Sequence, residues 1–155
     1  MAKRRTLWTV FLSVVMLALL PSCSRPVSDE YFVRTQKADS EWRYSFEVDL
    51  SGEQAFDLDI YVNMDCGNHR FVEFTGLKMF MLWESPEGEK YYEDIFLGRD
   101  CLDKGNYFTK RIAAPYRSGL SMDPPGVWKL SAQPSEEDIE RFGITGIGIR
   151  VTRVE

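Results

Sequence analysis

W-R-Y-S-F-E-V-D-L-S-G-E-Q-A-F-D-L-D-I-Y-V-N-M, residues 42–64, decides the fold of this chain. Apolar side chains occupy every second position in residues 42–50 and again in residues 56–64, and the positions between them are mostly polar. A period of two is typical of a β-strand with one face on a core and the other in water. Residues 51–53, Ser-Gly-Glu, provide turn chemistry between the two runs. The stretch therefore predicts two consecutive strands.

Apolar segments of strand length continue along the rest of the chain. Further strands are predicted at 31–36, 77–83, 90–97, 107–113, 127–132 and 144–154. Pro86-Glu87-Gly88 is expected to join two of them as a hairpin. Because residues 77–83 are apolar except for Lys78, we expect that strand to be covered on both faces, near the middle of a sheet.

One helix and one long loop complete the expected elements. Residues 135–142 predict a short helix that Ser135 caps, and residues 98–106 predict a loop. Seven or eight short strands at regular spacing indicate an all-β fold, an antiparallel β-sandwich of jelly-roll type. The cleanest alternation predicts a core that contains Phe46, Val48, Leu58, Ile60, Val62, Ile147, Ile149 and Val151. Gly146 and Gly148 take the opposite face of the last strand, where a partner strand, loop or ligand is expected to approach closely.

The N-terminus carries an export signal. Three basic residues at positions 3–5 precede an apolar run from Leu7 to Leu20, which is shorter than the about 20 residues that span a membrane. Leu20-Pro21-Ser22-Cys23 resembles a bacterial lipobox, which implies cleavage before Cys23 and acylation of that residue. We expect a signal peptide at 1–22, a lipid-anchored tether at 23–30 and a single β-sandwich domain at 31–155. The alternative is an ordinary secretory signal in which Cys23 occurs by chance.

This organisation predicts an exported protein that is lipid-anchored to the cell envelope. We expect the outer rather than the inner membrane, with the domain on the periplasmic or surface side. Removing residues 1–22 takes away three of the 19 basic side chains and none of the 24 acidic ones, which leaves a formal charge of −8. An acidic body repels nucleic-acid phosphates and anionic lipid, so nucleic acid is not an expected partner. We expect the acyl chains on Cys23 alone to attach the protein to the membrane.

Two cysteines remain once Cys23 is used by the lipid. In an exported protein, the even pair Cys66 and Cys101 predicts a disulfide. The alternative is two separate, half-buried thiols, because the sequence does not show that the two Cα atoms are within reach of each other.

No pattern of residues indicates catalysis. His69 is the only histidine, and no Gly-x-Ser-x-Gly motif surrounds a serine. Zinc-ligand types occur near His69, and several aspartates lie two residues apart on strands. The residues concerned are Asp65, Cys66, His69, Asp100 and Cys101 for zinc, and Asp49, Asp57 and Asp59 for calcium. Since exported cysteines more often pair with each other and calcium needs a curled loop, we expect no metal, no cofactor and no enzymatic activity.

Aromatic side chains provide the candidate binding residues. Trp83, Tyr91 and Tyr92 would offer flat apolar faces to a partner protein or a sugar ring if they were exposed. The same holds for Trp42, Trp128, Tyr107 and Tyr116. The alternative for Trp42 and Trp128 is core packing, because they are in phase with the apolar faces of their strands. Tyr91 and Tyr92 are adjacent and must point to opposite faces of a strand.

The order of the motifs resembles the gliding-motility lipoprotein H (GldH-like) family of the Bacteroidetes. The resemblance covers nearly the whole mature chain. It rests on the lipobox, F-E-V-D-L (46–50), D-I-Y-V-N (59–63), L-K-M-F-M-L (77–82) with S-P-E-G (85–88), G-V-W-K-L (126–130) and G-I-T-G-I-G-I-R-V (143–151). The family's acidic-Gln-x-Met-Arg stretch is replaced here by S-A-Q-P (131–134), which indicates a diverged member. The resemblance implies a membrane-anchored accessory protein without catalytic residues.

These observations predict a non-catalytic envelope lipoprotein that binds another envelope component, most readily a protein. A carbohydrate-binding module of a glycan-capture system is the alternative, and an enzyme is the third possibility. A sugar site needs a groove with coplanar exposed aromatics, whereas a protein site needs a flat apolar patch.

We expect Cys23 to be the lipidated N-terminus of the mature protein. Intact-mass analysis of membrane-extracted protein should show the loss of residues 1–22 together with added acyl chains. A mature chain that starts elsewhere, with an unmodified Cys23, would contradict this expectation.

Overall fold

A computed structural model describes residues 27–52 and 54–154 as two β-sheets packed face to face. The strands are β1 (Ser28–Arg34), β2 (Tyr44–Asp49), β3 (Ala55–Met64), β4 (Gly76–Glu84), β5 (Lys90–Gly98), β6 (Leu102–Gly105), β7 (Lys110–Leu120), β8 (Val127–Pro134) and β9 (Ile144–Val154). The helices are α1 (Asn68–Phe71) and α2 (Glu136–Phe142). The predicted signal peptide 1–22 and Cys23 lie outside the described residues. In the part of the chain that is described, no helix is long and apolar enough to cross a membrane.

The strand order confirms an antiparallel sandwich of jelly-roll type. The five-stranded sheet has the order β1-β9-β3-β7-β6, and the four-stranded sheet has the order β2-β8-β4-β5. All neighbouring strands are antiparallel. The chain passes from one sheet to the other after β1, β2, β3, β5, β7 and β8. These crossings give the paired Greek keys of a jelly roll. The short strand β6 extends the edge of the five-stranded sheet beside β7.

The core lies between the inner faces of the two sheets, as the period of two predicts. The eight predicted core residues are at most 4% exposed, namely Phe46, Val48, Leu58, Ile60, Val62, Ile147, Ile149 and Val151. The close approach predicted over the glycines of β9 is also confirmed. A Cβ at Gly146 would lie 2.3 Å from Cζ of Phe32, and one at Gly148 would lie 2.2 Å from Cζ of Tyr61. These positions accept only glycine, because the two aromatic rings lie directly on the backbone of β9.

The prediction that residues 77–83 are covered on both faces is wrong. Strand β4 lies inside its sheet, between β8 and β5, but only alternate residues are buried. Lys78 and Phe80 are exposed and Leu82 is half-buried, because no second layer covers the outer face of this sheet among the described residues. A run of apolar residues was therefore not a sign of two-sided burial here.

Sheet edges account for the other differences from the sequence prediction. Residues 98–106 contain strand β6, all of whose residues are exposed, so that no alternation marked it. The predicted strand 107–113 begins later, at Lys110, and continues to Leu120. Residues 28–30 of the predicted tether pair with β9 as the start of β1. Edge strands exposed on one side need few apolar residues, which is why their sequences resemble loops.

The predicted helix is confirmed, and a second short helix was missed. In α2, the Ser135 hydroxyl accepts a hydrogen bond from the backbone N–H of Asp138 at 3.1 Å, as expected of an N-cap. Gly143 ends the helix in the left-handed region with φ 61°. Helix α1 is a single turn whose buried residue is Phe71, too short for a helical period to appear in the sequence.

We expect Ile149→Ala to lower the free energy of unfolding by about 2–5 kcal/mol, because it opens a cavity between the sheets. Equilibrium urea unfolding of residues 24–155 measures this change. Val154→Ala is the matched control, since Val154 is on the same strand but 37% exposed. An unmoved midpoint for Ile149→Ala would show that this face of β9 does not support the core.

Candidate functional site

The three principal aromatic candidates of the sequence fall on two sides of the four-stranded sheet. Tyr91 and Tyr92 are neighbours on β5 and point to opposite faces, as predicted; they are 50% and 59% exposed. Trp83 is 6% exposed and lies on the same side as Tyr91. The structure therefore brings Trp83 and Tyr91 together and separates them from Tyr92.

Tyr92 belongs to an exposed apolar surface on β4 and β5, which we call the aromatic patch and which consists of Phe80, Leu82, Tyr92 and Phe96. Phe80, Tyr92 and Phe96 are 40%, 59% and 64% exposed. The rings of Phe80 and Tyr92 stack with centroids 5.6 Å apart and planes 27° from parallel. Leu82 is paired with Tyr92 across the two strands. These contacts join Phe80, Leu82 and Tyr92 into one apolar surface. The Lys78–Asp94 ion pair lies between this surface and Phe96.

Phe96 completes the patch at the far end of the hairpin. A Cβ at Gly76 would lie 2.1 Å from Cζ of Phe96, so the ring lies flat over the glycine backbone. This placement holds the exposed Phe96 ring in one position instead of leaving it free in solvent.

Charged side chains lie within and beside the aromatic patch and pair with one another. Lys78 Nζ lies 3.2 Å from Asp94 between Phe80 and Phe96, and Lys90 Nζ lies 3.7 Å from Glu84 at the border of the patch. Exposed pairs of this kind add little stability. Apolar side chains with charged neighbours are common in protein–protein interfaces.

The patch lies on the longest exposed sheet edge. Strand β5 has 9 residues, and within residues 27–52 and 54–154 only β4 pairs with it. The edge strands β1, β2 and β6 have 7, 6 and 4 residues. An unpaired edge presents backbone N–H and C=O groups that another chain can pair with.

Sequence reasoning missed Phe80, Leu82 and Phe96, because it took β4 to be buried on both faces. The signal was present in the charged residues that share their phase. Lys78 lies on the face of Phe80, and Asp94 lies on the face of Phe96. Charged residues in phase with apolar ones mark a strand face that reaches water.

On the inner side of β5, a groove of about 490 Å³ opens between the two sheets. Trp83, Tyr91 and Trp128 line it, and Trp128 is 3% exposed. The rings of Trp83 and Trp128 meet edge to face at 75°, with centroids 6.2 Å apart. The two tryptophans are therefore core residues at the base of the groove, as the alternative for Trp128 predicted, and only Tyr91 offers a broad face to solvent.

Glu93 is the hub of a polar network in this groove. Trp83 Nε1 donates to the Tyr116 hydroxyl at 2.6 Å and to Glu93 Oε1 at 3.2 Å. The Tyr116 hydroxyl donates to Glu93 Oε1, and Arg117 forms an ion pair with the same carboxylate. Burial raises the pKa of Tyr116, and the hydrogen bond to Glu93 raises it further. Both groups are engaged with neighbours in the fold, so neither is poised as a free acid or base.

The cysteine pair does not form the expected disulfide in the structure. Cys66 and Cys101 are free thiols with respect to the described residues. Cys66 is fully buried after the end of β3, and its Sγ lies 3.8 Å from the Gly67 carbonyl oxygen. Burial raises the pKa of the Cys66 thiol. This corresponds to the alternative of two separate thiols, of which Cys66 is a core residue.

The candidate metal ligands are dispersed. Among the described residues, no three His, Cys, Asp or Glu side chains gather closely enough to hold a metal ion. His69 is exposed on α1. Asp57 accepts a hydrogen bond from the Gly119 backbone N–H at 2.8 Å, and Asp49 accepts one from the Ser51 backbone N–H at 2.9 Å. These two carboxylates are therefore used within the fold.

Comparison with known proteins gives remote structural likenesses only. No protein-family model matches the chain, and no curated protein is similar to it. A protein of Sulfurospirillum deleyianum is 11% identical with a TM-score of 0.39, and the match covers 84% of this chain and 99% of that one. The enzymatically active domain of tailspike protein 4 of bacteriophage CBA120 is 7% identical with a TM-score of 0.35, over 72% of this chain and 14% of that one. Dimeric latent PorU from Porphyromonas gingivalis is 10% identical with a TM-score of 0.30, over 86% of this chain and 13% of that one. At these TM-scores the likenesses carry no functional argument.

We expect Tyr116 to stay protonated in the folded protein when other phenols ionise. Because its pKa is raised in the native state, it contributes stability below the unfolded pKa of about 10, and that contribution is lost as the pH rises above this value. At about pH 10.5, native wild type and native Tyr116→Phe should show the same phenolate absorbance. After unfolding in urea, wild type should show about three quarters of a phenolate more, because an unperturbed tyrosine is ionised to about that extent at this pH. A difference already present between the native proteins would contradict the raised pKa.

Proposed function

We propose that this protein is a non-catalytic, lipid-anchored envelope lipoprotein that binds another envelope protein through the aromatic patch and the edge of β5. The observation that carries the proposal is the coincidence of the exposed aromatic rings with the longest unpaired edge. Aromatic side chains supply large contact areas at low entropic cost, and an edge strand supplies backbone hydrogen bonds. A partner that adds a strand beside β5 would cover both features at once.

The short segment between Cys23 and the first strand agrees with this role. Val27 accepts a hydrogen bond from the backbone N–H of Arg153, which places the start of β1 at one end of the sandwich. Val27 follows Cys23 by four residues, which reach at most about 14 Å. On this proposal the sandwich is held close to the membrane, and its β5 edge is accessible to neighbouring envelope proteins.

The shape of the patch favours a protein over a glycan. Sugar rings bind to coplanar aromatic faces in a groove, whereas the Phe80 and Tyr92 rings stack on each other beside a pocket of about 200 Å³, smaller than most ligand sites. In the groove, Trp83 and Trp128 are buried and inclined to one another. Carbohydrate binding remains the second candidate because Tyr91 exposes half of its surface beside Glu93 and Arg117.

We also propose that the chain is a diverged relative of the gliding-motility lipoprotein H family, located in the outer membrane. The support for this kinship is the order of the sequence motifs, from the lipobox to the G-I-T-G-I-G-I-R-V segment at 143–151. The accessory, non-catalytic role that the resemblance implies agrees with a surface built for docking.

Site-specific photo-crosslinking in living cells tests the docking proposal. A photoreactive phenylalanine analogue at Tyr92 should give a discrete adduct with one other protein. The same analogue at Tyr107, an aromatic residue that is 62% exposed outside the patch, is the matched control and should not. Phe80→Ser should weaken the Tyr92 adduct, whereas Val72→Ser, at a position 69% exposed elsewhere, should leave it unchanged.

The composition of the adduct decides between the candidates. A peptide adduct found by mass spectrometry at Tyr92 but not at Tyr107 supports the proposal. An adduct that resists protease and contains sugar would favour the carbohydrate alternative. Equal labelling at both positions, or none at Tyr92, would refute docking through the patch.

A further inference from the structure

The outer face of the five-stranded sheet, on the opposite side of the molecule, is arranged in transverse rows of different chemistry. The row nearest the anchored end contains Glu30, Arg150 and Asp59, paired in register across β1, β9 and β3. Arg150 lies 2.7 Å from Glu30 and 3.9 Å from Asp59. The cation of this row is thus paired with carboxylates within the protein, and the row carries a formal charge of −1.

The middle row is aromatic. Phe32 and Tyr61 flank Gly148, and their rings are nearly parallel, 5° apart in angle with centroids 6.0 Å apart. Phe32 is 42% exposed, whereas Tyr61 is 4% exposed. The glycines of β9 permit this arrangement, since any side chain on them would displace the rings.

The third row, at the end away from Val27, is cationic. Arg34 pairs with Gly146, Gly146 with Asn63, Asn63 with Arg111, and Arg111 with Lys104. We call Arg34, Arg111 and Lys104 the cationic row. Within the described residues, none of the three forms an ion pair with a carboxylate. Three unbalanced cations on one sheet row stand out in a chain whose formal charge is −5.

A pocket of about 480 Å³ opens beside this row. Arg111, Lys104, Asn63 and Thr145 line it, and Asp65 is the one carboxylate of the lining. Thr145 is an extra residue in β9, where the register with β3 shifts between Asn63 and Met64. Such bulges redirect side chains and are common beside functional sites.

A buried cation lies in the same pocket. Lys110 is 6% exposed, and its Nζ donates to the backbone carbonyls of Cys66 and Thr109 at 3.4 Å each and to that of Asn106. Backbone carbonyls satisfy its hydrogen bonds but leave its full charge uncancelled. A charge held in such a poorly hydrated place strengthens the positive potential of the pocket.

Arg111 is held in place without an acidic partner. Its Cζ lies 3.7 Å from the centre of the Tyr61 ring, and its Nε is buried with no hydrogen-bond partner among the described residues. Stacking on Tyr61 fixes the plane of the Arg111 guanidinium. No carboxylate among the described residues forms an ion pair with it. A pre-oriented guanidinium matches the oxygen atoms of a phosphate.

We propose that the cationic row and its pocket bind a phosphate group. Arg111 and Lys104 contact the phosphate oxygens, Asn63 offers a polar side chain at its border, and Arg34 and Lys110 contribute charge. The Thr145 hydroxyl at the same border donates to the backbone carbonyl of Asn63. The chemistry is the same for a soluble phosphate ester and for a phospholipid headgroup, and the exposed ring of Phe32 lies where the apolar part of a lipid would extend. The site is on the opposite sheet from the aromatic patch and does not depend on it.

Calorimetric titration of the full-length protein in a nonionic detergent with pyrophosphate tests the site. Lys104→Gln removes an exposed charge and should weaken binding about tenfold, as should Arg111→Met. Arg70→Gln is the control, because Arg70 is exposed on α1 and outside the pocket, yet carries the same charge. It should change the affinity by less than about twofold, and added salt should weaken binding to the wild type.

The source of the phosphate is resolved by two further titrations. Equal affinity for glycerol 3-phosphate and a short-chain phosphatidic acid indicates that the phosphate alone is recognised. Tighter binding of the phosphatidic acid, lost in Phe32→Ser, indicates a lipid headgroup. No binding of any of these ligands, or equal losses in Lys104→Gln and Arg70→Gln, would overturn the proposal. Because Lys104 is exposed and takes part in no described ion pair, its variant tests the site without disturbing the fold.

Discussion

Burial of one side of β9 is the constraint on which the rest of the structure depends. The strand lies between β1 and β3, and Ile147, Ile149 and Val151 fill the space between the sheets. A shift of one residue would place these side chains in water, so the register of β9 with its neighbours is fixed. The pairing of β9 with its neighbours then fixes the positions of all the remaining residues of the five-stranded sheet. The cationic row, whose three residues come from β1, β6 and β7, follows from this register.

The other side of β9 determines which side chains can lie on the outer face of the five-stranded sheet. Since Gly146 and Gly148 carry no side chains, Phe32 and Tyr61 lie flat on the backbone, and Tyr61 in turn carries the guanidinium of Arg111. The outer face of the four-stranded sheet is built differently, with aromatic rings on an unpaired edge. One sandwich thus presents two surfaces of distinct chemistry, an apolar patch suited to a protein and a cationic row suited to a phosphate.

The sequence predicted the elements whose pattern lies within one short segment, such as strands with apolar residues at every second position. Strands β2, β3 and β9 alternate cleanly, and the Ser135 cap depends on residues three positions apart, so all were predicted correctly. Strand β6 was missed because every residue is exposed, and β4 was misjudged because its apolar outer face is the aromatic patch itself. The cationic row was out of reach because Arg34 and Arg111 meet on one face only through the pairing of distant strands. The expected Cys66–Cys101 disulfide is absent from the structure, in which both are free thiols, the alternative that the sequence had left open.

Hydrogen exchange of the β5 backbone in native membranes tests the central claim most directly, namely that this edge is a docking surface. An unpaired edge opens easily, whereas β9 is protected by strands on both sides. The account predicts that residues 90–98 exchange slowly in native membranes and much faster after extraction in detergent, while residues 144–154 remain protected in both. Fast exchange of residues 90–98 in both conditions would show that nothing covers the β5 edge in the cell, and would contradict the account.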